Sequence, residues 1–208
     1  NGAGLLNMCA VGRRVTAATG VEFEIIGFDT GMGMPAPKDF RDHPEYYTTG
    51  DFPMDQAALS ASLPSNARVL YGDVAITVPG FLAELSADAP IGFVSLDLDY
   101  YHSSRAALRL FENPDATKYL PLVVTYLDDI AFAGHNDWCG ELLAVAEFNR
   151  ENERRKISKY GFLRTGRIFK NPAWLEHMFV LHALDHPSRQ PAAIDPARRR
   201  VVLDNPYL

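Results

Sequence analysis

Cysteine is scarce in this 208-residue chain, with two residues, Cys9 and Cys139. Two cysteines cannot build a disulfide framework, and they read as reduced thiols of an intracellular, cytoplasmic protein. Long apolar runs are missing, since none approaches the roughly 18 residues of a membrane span, so no membrane partner is expected. Basic charge is not in excess. Lys and Arg number 20 against 26 Asp and Glu, for a net charge of −6. That balance argues against nucleic acid as the main partner, because a phosphate backbone selects a basic face. Internal repeats, low-complexity blocks and a signal-peptide pattern are also lacking. So is an initial Met: the chain opens Asn1-Gly2-Ala3-Gly4, and a strand is expected upstream of that turn.

Hydrophobic residues make up 47% of the chain, aromatic residues 11% and charged residues 22%. These values suit one globular domain with a real core. It is expected over residues 1–186, followed by a Pro/Arg-rich tail or arm over 187–208. The Arg198-Arg199-Arg200 run reads as solvated tail.

The pattern alternates helices and strands. Leu5 to Ala18 has helical composition and ends near Gly20, a suitable left-handed terminus. Phe23 to Phe28 reads as a strand stopping at Asp29. A long loop follows, 30–53, rich in Gly, Pro, Asp and aromatics, long enough to suggest function. Asp55 to Leu63 reads as a helix and Arg68 to Tyr71 as a strand stopping at Gly72-Asp73. Val78 to Leu85 is expected as a helix with Pro79 in its first turn, where a missing N–H costs little. Ile91 to Leu96 is a nearly continuous apolar strand ending at Asp97-Leu98-Asp99, with a helix from Ser103 to Phe111. Leu120 to Leu127 is another such strand, ending at Asp128-Asp129, and Gly140 to Glu153 is the next helix. Strand, turn and strand are expected over 157–184.

Such alternation implies right-handed crossovers and a mostly parallel sheet with helices on both faces. In these sheets ligands gather at the carboxyl ends of the strands. Four consecutive strands end in acids, at Asp29, Asp73, Asp97/Asp99 and Asp128/Asp129. One acid after a strand is commonly a helix cap, but four in a row point to a site. Asp97, Asp128 and Asp129 arrive from two neighbouring strands. Like charges so close raise one another's pKa unless a cation neutralises them, and a hard divalent ion such as Mg²⁺ suits carboxylate ligands. Asp99 and His102 are candidate general bases. Gly2 and Gly4 precede a helix, where small residues let a ligand approach a helix N-terminus. Asp29 stands where an acid can accept ribose hydroxyls. His135 lies in the loop after the acidic pair. His182 and His186 have helical metal-ligand spacing but sit in strand-like sequence, which argues against a zinc site.

The order of motifs resembles a family. Phe28-Asp29-Thr30-Gly31-Met32-Gly33-Met34-Pro35, Gly50-Asp51-Phe52, Asp97-Leu98-Asp99-Tyr100-Tyr101-His102-Ser103-Ser104 and Asp128-Asp129 are similar to the successive motifs of macrocin O-methyltransferase-like (TylF-type) enzymes. The resemblance spans about residues 1 to 150. It implies a Rossmann-like class I S-adenosylmethionine-dependent methyltransferase, closed by a C-terminal antiparallel hairpin. By resemblance, Gly2, Gly4, Asp29, Thr30, Gly72, Asp73 and Asp97 would contact S-adenosylmethionine. Asp97, Asp128 and Asp129 would bind Mg²⁺ or another divalent cation. Asp99, with His102 as the other candidate, would deprotonate the hydroxyl of a small-molecule acceptor, in this family often a natural-product sugar.

Two other readings compete. A metal-dependent sugar-nucleotide glycosyltransferase also places Asp-x-Asp, here Asp97/Asp99, after a strand. A catalytically inactive methyltransferase fold could act as an interaction module. The aromatic loop from Phe40 to Phe52 suits a lid over a substrate or, equally, a contact between copies in a homo-oligomer.

Overall fold

The computed structural model describes residues 2–131, 134–165, 168 and 171–191. Asn1 and the tail from 192 onward, with its Arg198–Arg200 run, lie outside the described residues.

Helix α1 (Ala3–Thr19) starts at Gly2, whose φ of 72° suits glycine. A Cβ on Gly2 would also stand 2.6 Å from Leu59 Cδ1. The helix stops at Gly20, left-handed, whose N–H bonds the Thr16 carbonyl at 2.8 Å. Strand β1 (Ile25–Asp29) follows, then the long loop with a 3₁₀ turn at Phe40–Asp42. Helix α2 (Gln56–Ser62) is capped by Asp55, which accepts the Ala58 N–H at 2.9 Å. Strand β2 (Ala67–Tyr71) leads to helix α3 (Val74–Leu82).

Helix α3 corrects the sequence reading, which began this helix at Val78. The Asp73 carboxylate accepts the Ala75 N–H at 2.8 Å and starts the helix at Val74. Pro79 therefore lies in the helix interior, not the first turn. It has no N–H to offer the preceding turn, and the helix ends soon after, at Leu82.

Strand β3 (Ile91–Leu96), helix α4 (Tyr101–Leu108), strand β4 (Tyr119–Leu127) and helix α5 (Gly140–Glu151) form the next units. Helix α4 begins two residues before the expected Ser103, and Arg109–Phe111 continues it as a 3₁₀ turn. Strands β5 (Arg155–Lys159) and β6 (Met178–Ala183) close the fold, and the expected extended tail opens with a 3₁₀ turn at Pro187–Arg189.

Strands β1 and β2 pair in parallel, as do β3 and β4. The larger sheet has the order β3-β4-β6-β5, with β6 antiparallel to both of its neighbours. Composition explains that order. Strand β6 (Met-Phe-Val-Leu-His-Ala) is apolar enough to lie inside the sheet. Strand β5 (Arg-Lys-Ile-Ser-Lys) carries the charges that suit an edge. Parallel β1/β2 and β3/β4 pairs, an antiparallel C-terminal pair and flanking helices make a Rossmann-like α/β architecture.

The core joins α4 and α5 to β3, β4 and β6. Leu108, Phe111, Tyr119, Val123, Leu127, Phe148 and Leu181 are completely buried there. Each such side chain contributes about 1.5–3 kcal/mol by leaving water. Arg155 is buried beneath this core. Its guanidinium binds both oxygens of Asp185 at 2.7 and 2.9 Å and the carbonyls of Phe111 and Asn113. It thus ties β5 to the end of α4. Among the described residues no helix is long and apolar enough to cross a membrane.

Candidate active site at the strand ends

Parallel strands deliver their last residues to one edge, so β3 and β4 bring Asp97, Asp128 and Asp129 together. One carboxylate oxygen from each lies within 4.8 Å of the others. The backbone of Asp128 still belongs to the ladder, its N–H bonding the Leu96 carbonyl at 3.0 Å. Asp97 keeps a face open to solvent, Asp128 is half-buried and Asp129 is buried.

Burial, and then the neighbouring carboxylates, raise Asp97 and Asp129. Asp129 is pushed well above the usual carboxylate range by burial and then by Asp99. Asp97 is raised by the protein atoms around its carboxyl, then by Asp128 and Asp99, with a smaller push from Asp29. That last effect puts the end of β1 on the same edge. Glu141, in the first turn of α5 and 1% exposed, backs the cluster. Its Oε2 accepts the Asp129 N–H at 3.2 Å, while its Oε1 is buried with no partner. Burial first, and Asp129 next, raise this carboxyl far above its ordinary value.

Asp99 is buried and has a left-handed backbone, φ 53°. Its N–H donates to Asp129 Oδ2 at 2.8 Å. Tyr47 is pushed far above the usual tyrosine range, first by burial and then by the neighbouring Asp99. The ring of Tyr47 packs edge-on against Tyr100 and Phe52. Tyr126 is pushed up to about 12, first by burial and then by the neighbouring Asp128. His135 directs Nδ1 at the Asp129 carbonyl and stacks on His43, ring centroids 4.8 Å apart.

The remaining expected site residues have these places. The Asp29 Oδ1 accepts the Gly31 N–H at 2.5 Å, and its backbone carbonyl accepts the Gly72 N–H. Thr30 is a turn former, its hydroxyl donating to the Gly33 carbonyl and accepting the Met32 N–H. Gly72 has φ 141°, and Asp73 caps α3. Around Gly4 no protein atom lies within 4 Å of where a Cβ would stand. His102 turns toward the long loop, with Nδ1 2.9 Å from Asp42 Oδ2 and Nε2 3.4 Å from Arg41. Its partners are thus distinct from those of Asp99. His182 bonds Ser158 and His186 bonds Ser188, so the helical spacing of these two histidines has no counterpart.

Sequence reasoning missed Tyr47, Glu141 and Asp42. The aromatic character of the loop was visible, but its approach to Asp99 was not. Glu141 carried a faint signal, an acid beside an otherwise apolar helix face.

No protein-family model matches the chain. No curated protein sequence matches it either. Among solved structures, CalS11, a calicheamicin methyltransferase, matches with a TM-score of 0.57 and 21% identity, over 86% of this chain and 66% of that one. An apo structure of CalS11, described as a TDP-rhamnose 3'-O-methyltransferase of calicheamicin biosynthesis, matches at 18% identity and TM-score 0.48, over 87% and 67% of the two chains. The chain thus spans about two thirds of the length of CalS11. At this identity the likeness establishes the fold.

Proposed function

We propose that this chain is a divalent-metal-assisted O-methyltransferase of the macrocin-like type, moving a methyl group from S-adenosylmethionine to a hydroxyl of a small natural product, such as a sugar. One observation carries the reading. Three carboxylates with donor atoms within 4.8 Å stand at the strand-end edge of a class I methyltransferase sheet, beside a fourth buried acid, Asp99. The upward pressure on Asp97 and Asp129 is what a cation would relieve. The fit to the cofactor rests on the open backbone at Gly4, the left-handed start of α1 at Gly2, and the second oxygen of Asp29, left for a ribose hydroxyl.

When bound, S-adenosylmethionine supplies the electrophilic methyl group, and a divalent ion held by Asp97, Asp128 and Asp129 lowers the pKa of an acceptor hydroxyl. The chain's own groups do the rest. Asp99 accepts the hydroxyl proton, and Asp129, which accepts the Asp99 N–H, fixes its position. Glu141 holds the Asp129 backbone in place. Gly72 and Asp73 lie at the end of β2, on the adenine side of this reading. His102 is the second candidate base, and its Asp42 partner would orient the ring. Exposed aromatics on the flanking loops, among them Phe40, Phe52 and Trp138, offer stacking faces to an acceptor.

Titration calorimetry with S-adenosylmethionine, with and without Mg²⁺, is the primary test. A folded chain that binds no S-adenosylmethionine would remove the reading. Methyl transfer to hydroxylated acceptors should stop in EDTA and in Asp97→Asn.

A further inference from the structure

We infer that His135 is a positioning residue for Asp129, held in place by His43, an inference that rests on the metal site proposed above. His135 stands between β4 and α5, and its Nδ1 meets the Asp129 carbonyl. A carbonyl only accepts, so the ring nitrogen at this contact carries the proton, in the neutral and the charged imidazole alike. Asp129 is then held through its N–H, its carbonyl and its carboxylate. The N–H donates to Glu141 Oε2 at 3.2 Å, the carboxylate accepts the Asp99 N–H at 2.8 Å, and the carbonyl accepts from His135. The carboxylate that completes the trio with Asp97 and Asp128 thus hangs from a backbone pinned on both sides. Hydrogen bonds of this kind orient a metal ligand before the ion arrives.

His135 is in turn held by the long loop. His43, 1% exposed, lays its ring flat on that of His135, with centroids 4.8 Å apart and planes 9° apart. Two glycines make room for this contact. A Cβ on Gly140, whose φ is 55°, would stand 3.0 Å from His43 Nε2 and 3.2 Å from the Asp99 carbonyl. A Cβ on Gly134 would run into the Tyr46 ring, which itself lies 5.9 Å from that of His43. Cys139 Sγ adds a contact to the Phe40 carbonyl at 3.7 Å. The segment 40–46 is thus seated against 134–140. Hydrogen bonding explains little of the His43 burial. Its Nδ1 faces the exposed Glu45 at 3.4 Å, and its Nε2 has no hydrogen-bond partner among the described residues. What His43 supplies is a flat face, and what His135 supplies is an N–H aimed at Asp129.

Variants that separate the ring from the donor test this assignment. His135→Phe keeps a ring on His43 but has no N–H, and its affinity for Mg²⁺ or Mn²⁺ in calorimetry should fall at least about 10-fold. His135→Asn loses the ring but can place an amide N–H where Nδ1 stands, and should stay within about threefold of the parent. His43→Ala should follow His135→Phe, and His43→Phe should follow the parent. A structural role alone would weaken both His135 variants alike. Hydrogen exchange in EDTA reads the same link without metal. The Asp129 and Asp99 amides should exchange faster in His135→Phe than in the parent or in His135→Asn. If His135→Phe does not fold, His43→Ala against His43→Phe carries the same comparison. Unchanged metal affinity in His135→Phe, or an Asn variant no better than Phe, would overturn the inference. A parent chain that binds no divalent ion would sink the proposed reaction. The exchange rates would then decide the link alone, and equal rates in the parent and His135→Phe would overturn it.

Discussion

The backbone N–H of Asp99 donates to the Asp129 carboxylate at 2.8 Å, so the acid ending one strand fixes the turn that follows its neighbour. That bond makes Asp129 do two things. One oxygen shapes the Asp99 turn, and the carboxylate also contributes an oxygen lying within 4.8 Å of ones from Asp97 and Asp128, where the proposed cation would be held. The Glu141 carboxylate below it accepts the Asp129 N–H and prevents the strand end from drifting.

Asp129→Asn should therefore split stability from binding. The amide keeps an oxygen for the Asp99 N–H but removes one acid from a crowded cluster. In EDTA the variant should be as stable as the parent or more stable, by about 1 kcal/mol. Its affinity for Mg²⁺ or Mn²⁺ should fall at least about 100-fold, as loss of a charged ligand requires. Thermal melts in EDTA and calorimetric metal titration measure the two effects. A variant that loses stability in EDTA while keeping metal affinity would contradict this assignment.

The same carboxyls set a pH dependence. Burial and mutual repulsion raise Asp129 and Glu141 in the folded chain above the values near 4 that they have when unfolded. The folded state therefore holds protons that the unfolded state has released. For Asp129 the stability contributed by the protonated form is complete at about pH 4 and is lost as pH rises toward about 8, and Glu141 acts in the same direction. Each fully released proton costs about 1.4 kcal/mol per pH unit within that window. Melting temperatures in EDTA should fall from about pH 5 to pH 8, and millimolar Mg²⁺ should flatten the slope by replacing the protons. A melting temperature that climbs across this range in EDTA would contradict the argument.

What was legible in the sequence follows from how each contact forms. Asp97, Asp128 and Asp129 were visible because strand ends are local features, and the alternation of strands and helices places them on one edge. The left-handed stop at Gly20 and the helix that follows Asp55 were visible for the same reason. Tyr47 and Asp42 were not, since Tyr47 meets Tyr100 and Asp42 meets His102 more than fifty residues away, from a loop whose path no periodicity encodes. The start of α3 was misplaced because Pro79 was given more weight than Asp73. A side-chain cap decides a helix start, whereas a Pro inside costs one hydrogen bond that a short helix can forgo. The position of β6 inside the sheet was equally non-local. It reflects the contrast between its apolar run and the charges of β5, not the order of the two in the chain.

Arg155 gives a prediction far from the site. Its guanidinium is buried, doubly bonded to Asp185, and stacked over Tyr119 at 4.7 Å. Arg155→Ala leaves Asp185 and the Phe111 carbonyl without their partner. It should cost about 3 kcal/mol, or roughly 10 °C in melting temperature for a domain of this size. Removing both charges with Arg155→Met and Asp185→Leu should recover much of that loss, because the uncompensated charge disappears. Thermal melts of the parent and the two variants test this, and metal affinity should be unchanged in each.

Gly33 tests whether the long loop matters to the site. Its φ is 87°, and a Cβ there would stand 2.5 Å from the Asp51 carbonyl and 2.6 Å from that of Gly50. Both obstacles are backbone, so neither can swing aside. The loop closes on itself at this point, through Met34 N–H to the Asp51 carbonyl at 2.7 Å and Gly50 N–H to the Met34 carbonyl at 2.8 Å. Gly33→Ala should open that closure at a cost of about 1–3 kcal/mol. Because Tyr47 lies within the closed segment, the variant should also loosen its packing against Tyr100, the residue after Asp99, and lower kcat at least about 10-fold. The metal trio lies on other elements, so Mg²⁺ affinity should stay within about twofold of the parent. Full turnover in a Gly33→Ala chain that exchanges its 46–47 amides faster would show that Asp99 works without the loop.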